Sequence, residues 1–247
     1  MVLRVEGSSF AERLLPQAQK TWDREDIPKP PTELLKFQER NKDLGFTFEP
    51  FYWPEVVLEE DSDWPGAGIR PEGWYWQQIR NRNLPKNFAT LFAGWYAMES
   101  IQKPDYVGGR QLYSNDALGL YLENLRNQGK IAVPELYRHV PPISRFAVSW
   151  DEIHSPVISE VSKLFDVDRS RMKIPRMIEL NVRGNMAHRE WGQTNTLEWF
   201  EDKFEDAHRL YGGNANNGGL AHVLDSWSDY RNDHLGFRLL VSFPQQT

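Results

Sequence analysis

The chain has 247 residues, a formal net charge of −6, 40% hydrophobic and 26% charged residues, the composition of an ordinary folded protein of one large or two small domains. Its Lys and Arg residues are scattered and supply no basic stripe for phosphate neutralisation, which excludes nucleic acid as an expected partner. Cysteine is absent, so disulfides, thiolate metal sites and cysteine nucleophiles are excluded together and the redox compartment is left open.

Met1 to Phe10 carries Arg4 and Glu6 and lacks the apolar run of an export signal. No stretch approaches the length of a membrane span, so a soluble chain without membrane insertion is expected, with its location undetermined. From Ser8 to Gln38 the pattern predicts two short amphipathic helices, with Ser8 and Thr32 as N-caps and Pro28, Pro30 and Pro31 between them. Phe46, Phe48, Phe51, Tyr52, Val56 and Val57 predict extended structure from Phe46 to Leu58, broken at Pro50 and Pro54. Trp64-Pro65-Gly66 reads as a turn, followed by a helix around Trp74 to Arg80.

Phe88 to Met98 reads as a buried strand, and Asp116 to Asn127 as a helix with Leu118, Tyr121, Leu122 and Leu125 on one side, stopped at Gly129. A further helix from about Trp150 to Phe165 opens with Ser149 and Glu152 in capping-box spacing, and Pro156 predicts a late start or a kink. After Ile174-Pro175 the pattern changes to short strands, Gly-rich turns and Trp residues, and it ends in an alternating strand from Phe237 to Phe243. The Trp53-Pro54 and Trp64-Pro65 pairs read as packing and loop stiffening.

Four signatures occur in order: Ile174-Pro175 with Glu179 four residues on, Thr194-Asn195-Thr196-Leu197-Glu198-Trp199, Tyr211-Gly212-Gly213, and Gly236-Phe237-Arg238. Over about Ser144 to Phe243 this resembles the formylglycine-generating-enzyme branch of the C-type lectin fold. There the corresponding pieces are a Leu-Pro-x-x-x-Glu helix start, a Gly-Asn-x-x-Glu-Trp turn, an Arg-Gly-Gly turn and a closing Gly-Phe-Arg strand. The resemblance implies an α+β, C-type lectin-type domain over residues 46–247, with residues 1–45 as a helical appendage.

Glu179 and Glu198 invite reading as a catalytic pair, but buried carboxylates must be paired, and Arg238 is a natural counter-charge. The chain departs from the family where its enzyme chemistry lies. The copper-binding cysteine pair is missing, and the three-histidine set of iron-dependent members finds no match in His139, His154 or His188. Only the scaffold carries over; no catalytic residue, metal or cofactor is expected.

Residues 206–235 hold no Glu, Lys, Gln or Met, although these types fill 46 of the other 217 positions and about six would be expected. In their place stand Ala207, His208, Tyr211, Asn214, Asn216, Asn217, His222, Leu224, Asp225, Ser226, Asp229, Tyr230, Asn232, Asp233 and His234. All of these types are reachable from an asparagine codon by replacing its two adenines, a set that excludes Glu, Lys, Gln, Met and Trp.

The segment thus resembles the variable region of proteins diversified by retroelements in phages, bacteria and archaeal viruses. In those proteins variable side chains share one face while interspersed residues hold the turns; here Arg209, Gly212, Gly213, Gly218, Gly219, Trp227, Arg231, Gly236 and Arg238 are the expected fixed set. A face rich in Tyr, Asn, Ser, Asp and His suits an adaptable paratope. An ordinary polar, Gly-rich loop region would favour some of the same types. His208, His222 and His234, fourteen and twelve residues apart, match no metal-ligand spacing.

The expected function is binding of a protein or surface ligand, as in attachment of a virus or cell, without catalysis. The alternatives are a metal-dependent oxidase or hydroxylase on the same fold, and a structural tail-fibre component.

Overall fold

The structure is a computed structural model that describes residues 6–64 and 66–243. Met1 to Val5 of the stretch read for an export signal, and Pro65 of the Trp64-Pro65-Gly66 turn, lie outside the described residues. Helices and sheets are mixed, an α+β arrangement.

Helices α1 (Glu6–Trp22) and α2 (Thr32–Leu44) flank the proline run. Ser8 lies within α1 rather than capping it, and Pro31 takes the N-cap of α2 with Thr32 as the first helical residue. Proline serves there because the first helical turn needs no donor from its start, and its extended backbone sets the entry. α2 ends at Gly45, whose left-handed φ of +72° lets its N–H reach back to the Lys42 carbonyl.

Strand β1 (Phe48–Trp53) runs straight through Pro50. The expected break is absent because β1 is an edge strand, where a missing N–H leaves no ladder bond unmade. β2 (Val56–Val57) pairs with β3 (Thr90–Leu91), and α3 (Gly73–Arg80) lies between them in sequence. The single strand expected over Phe88 to Met98 is divided. Phe88 sits in a 3-10 turn, β3 belongs to the small sheet, and β4 (Gly94–Glu99) belongs to the large one, so the chain changes sheets between them.

Helix α4 (Gly119–Asn127) starts later than Asp116, whose carboxylate caps Leu118 N–H and pairs with Arg145. Ser149 and Glu152 form the capping box at α5 (Trp150–Glu152), and a π-helical stretch Ile153–Val157 containing Pro156 joins it to α6 (Ile158–Phe165). Proline has no N–H to give, and the wider turn accommodates it. After β5 (Met172–Lys173) comes α7 (Met177–Ala187), where the apolar pattern alone had suggested strands. The final strand is confined to β10 (Leu240–Phe243).

β1, β4, β10 and β5 form an antiparallel sheet in that order. Period-two alternation buries both its faces. Phe48, Trp95, Ala97, Val241 and Phe243 face a core shared with α1, α2, α4 and α6, while Trp53, Tyr96, Met98 and Leu240 face a second core shared with α3 and α7. A second sheet has the order β8 (Val223–Trp227), β7 (His208–Gly212), β6 (Leu197–Phe204) and β9 (Leu235–Gly236). It too feeds both cores, Trp199 into the first and Phe200 and Leu210 into the second. Among the described residues, no helix is long and apolar enough to cross a membrane.

Candidate ligand-binding surface

The segment from Asp206 to Leu235 hangs on a buried polar frame. Arg238 donates from Nε to Glu198 Oε2 and from Nη2 to Oε1, each at 2.9 Å, and Tyr113 donates its hydroxyl to Oε1 at 3.0 Å. The guanidinium also lies 3.7 Å from the centre of the Trp191 ring. Burial alone would push the Glu198 carboxyl up; Arg238, Lys103 and Tyr113 outweigh it and hold it below its ordinary value. Glu179 is held the same way at about 2: burial opposes, and Lys173 and Arg176 prevail.

The two carboxylates therefore do not form a pair. Each has its own cations, one at the start of α7 and the other in β6.

Lys103 fixes the turn that opens the segment. Its buried ammonium donates to the Thr196 carbonyl at 2.6 Å and the Gly213 carbonyl at 2.5 Å, and burial lowers its pKa to about 8. Gly212 is required by close approach, because a Cβ there would lie 2.0 Å from the His222 carbonyl oxygen.

From this frame the strand register distributes the expected binding residues. In β7 and β8, Tyr211 pairs with Leu224 and Arg209 with Ser226, on one face; His208 pairs with Trp227 and Leu210 with Asp225, on the other. Leu224, Asp225 and Ser226 are consecutive in a strand, so they cannot share one face. Tyr211 packs edge-on to Trp199, and Leu224 is 43% exposed. On the opposite face His208 Nδ1 meets Asp225 Oδ2 at 2.5 Å, and the His208 ring abuts Trp227.

Asn216 and Asn217 are exposed on a 3-10 turn, whereas Asn214 is its cap, accepting from Asn216 N–H and donating to the Asn195 carbonyl. His222 is only 4% exposed, and burial lowers its pKa. It is thus part of the interior, placed there because its own backbone carries the tight approach to Gly212. Ala207 is half-buried, and its carbonyl accepts from Ser228 N–H.

The loop from Tyr230 to His234 closes the surface. Asn232 donates to the Tyr230 hydroxyl and its Oδ1 accepts from His234 N–H. Asp233 is a hub: its Oδ2 takes Tyr106 OH at 2.9 Å and His139 Nε2 at 2.9 Å, and its Oδ1 lies 3.6 Å from His234 Nδ1. Burial would raise the Asp233 carboxyl, but His139, Tyr106 and His234 together lower it. The rings of Tyr106 and His234 meet edge to face at 6.0 Å.

The structure thus gathers two groups: Tyr211, Leu224 and Ser226 on one face of the β7–β8 pair, and His208 and Asp225 on the other, with the polar loop around Asp233 as a further edge. Tyr106 and His139 join the surface from over ninety residues away, and nothing local in the sequence marks them.

His208 contacts Asp225 and His234 lies beside Asp233, while among the described residues His222 Nδ1 has no partner and no group of three or more His, Asp or Glu side chains is arranged to hold a metal ion. His139, His154 and His188 are likewise dispersed: His154 stacks on Trp150 and His188 on Trp191. Comparison with known protein families, curated proteins and solved structures finds no match to this chain.

Proposed function

We propose that this chain is a ligand-binding protein of C-type lectin type, in the formylglycine-generating-enzyme-like branch, whose C-terminal segment is the target of a diversity-generating retroelement. The fold assignment is supported by how the four sequence signatures behave. Glu179 is the third residue of α7 and completes a capping box, Glu198 and Trp199 lie in β6, Gly213 makes a turn at φ +90°, and Arg238 closes on Glu198.

The observation that carries the functional reading is the residue bias of positions 206–235, with Glu, Lys, Gln and Met all missing from thirty positions. Support comes from the exposure pattern. Leu224, Asn216, Asn217 and Asp229 are exposed and Tyr211, Asp225, Ser226, Tyr230, Asn232 and His234 are half-exposed, while the intervening Leu210, Gly212, Gly219, Val223 and Leu235 are buried. A surface of this make-up accommodates exchange of contact residues without loss of the core. On this reading the domain recognises a protein or surface ligand and performs no catalysis, and the setting is attachment of a virus or cell.

The test is sequencing of the DNA around the coding region. The expected result is a reverse-transcriptase gene and a near-copy of the codons for Asp206 to Leu235 that differs at adenines. Flanking DNA carrying neither contradicts the retroelement reading.

A further inference from the structure

We infer that the free edge of β1 carries a second ligand site, a cavity for a small aromatic monocarboxylate of the size of benzoate. In an antiparallel pair, facing residues exchange both of their N–H···O bonds or neither, so alternate residues of an edge strand turn both backbone groups outward. At Phe48 the Asn41 side chain takes both, Oδ1 accepting from the N–H at 3.1 Å and Nδ2 donating to the carbonyl at 3.0 Å. Pro50 has no N–H to leave unpaired. At Tyr52 the Trp22 indole donates to the carbonyl at 2.8 Å. The Tyr52 N–H therefore points to the same outer side, where it has no partner among the described residues.

Beside that edge lies a cavity of about 140 Å³ between α1, β1, β4 and α7. Its walls are largely rings: Trp22 from α1, Phe51 and Trp53 from β1, and Trp95 from β4. The volume matches the ~150 Å³ in which an apolar core holds a benzene molecule. Met186 of α7 adds a wall that adapts its shape to a guest.

Arg183 of α7 supplies the charge. It lines the cavity with its guanidinium 4.6 Å from the Phe51 ring centre, and its side chain is 14% exposed. Nη2 donates to Glu49 Oε2 at 2.9 Å, an oxygen that His188 Nε2 also meets at 2.8 Å. Nε and Nη1 have no protein partner among the described residues. Burial costs the guanidinium more than Glu49 returns and holds its pKa below the ordinary value. A largely buried cation with donors to spare, next to an unpaired backbone N–H, calls for an anion. A carboxylate on a flat apolar body meets both demands, because the body fits among the rings. A dianion would face Glu49, and inorganic phosphate has no apolar body to fill the space. No residue of 206–235 lines this cavity, so the site is separate from the display surface.

The experiment is titration of the full chain with sodium benzoate, with neutral benzamide and inorganic phosphate as comparators. Binding is read by calorimetry and by the indole N–H resonances of the uniformly 15N-labelled protein. Benzoate is expected to bind saturably and move the Trp22 indole signal, benzamide to bind about tenfold more weakly or worse, and phosphate to leave that signal in place. Arg183→Gln should bring benzoate and benzamide to within about twofold of each other. That ratio is taken within one protein, so it separates loss of the charge contact from loss of fold. Ala18→Leu, on the α1 wall, should fill the cavity and abolish binding of both while Arg183 stays in place. It keeps the test decisive should Arg183→Gln fail to fold. Absence of saturable benzoate binding, equal affinity for benzoate and benzamide, a preference that survives Arg183→Gln, or undiminished binding in Ala18→Leu overturns the inference. None of these results depends on the flanking DNA, so this site and the retroelement reading fail separately.

Discussion

The buried frame around Glu198 and the displayed segment from His208 to His234 draw on the same side-chain types, and they use their polar atoms in opposite ways. In the frame, both oxygens of Glu198 are taken by Arg238 and Tyr113, and the Lys103 ammonium is spent on two carbonyls. In the display, among the described residues, Asp225 engages one oxygen and leaves the other, and the Asn216 and Asn217 side chains stand exposed on their turn. Inside, an unmade hydrogen bond costs the full desolvation of the group, so every member is needed; at the surface, water fills the gap, so members can be exchanged. A protein that must change its contact residues without refolding requires this division.

Breaking the frame should have the largest effect. Arg238→Ala leaves Glu198 buried and without its main cation, and is expected to cost about 3–5 kcal/mol of unfolding free energy in urea titration. Gly212→Ala drives a Cβ into the His222 carbonyl and is expected to cost about 3 kcal/mol by the same measurement.

Asp202 sharpens the comparison, because it is a frame residue with one oxygen unsatisfied. Oδ2 accepts from Met177 N–H, while buried Oδ1 has no partner among the described residues, and burial pushes the carboxyl up to about 7. The folded state therefore holds a proton that the unfolded chain releases near its ordinary value of 3.8. By this group alone, stability should fall as pH rises from about 4 to about 7 by an amount on the order of 4 kcal/mol, and Asp202→Asn should remove that contribution in denaturation measured across the range. Smallest of all, the double variant Asn216→Ala, Asn217→Ala should change stability by no more than about 0.5 kcal/mol. A large loss there would place these residues in the frame.

What could be read from the sequence was what is decided locally. Ser149 and Glu152 announce their capping box because both partners lie within one turn. Pro50 was misleading because tolerance for proline depends on whether a neighbour pairs on that side, which only the sheet order decides. α7 was invisible to periodicity because Ile178, Leu180, Asn181, Val182, Gly184 and Asn185 are buried around its whole circumference and leave no polar stripe; its only local sign was Glu179 after Ile174-Pro175. Within the candidate surface, composition marked the segment but could not sort its members. His222 and Asn214 are of the same types as the displayed residues, yet one is buried behind Gly212 and the other caps a turn. Tyr106 and His139 reach the surface only through tertiary contact with Asp233.

The division between frame and display is tested most directly by two libraries of the full chain on a display platform. One randomises Tyr211, Leu224, Asp225, Ser226, Tyr230 and Asn232, and the other randomises Leu210, Gly212, His222, Val223, Leu235 and Arg238. The account predicts that most members of the first library resist protease as well as the parent and yield binders to unrelated protein targets, while most members of the second are digested. Equal protease sensitivity in both libraries would contradict it.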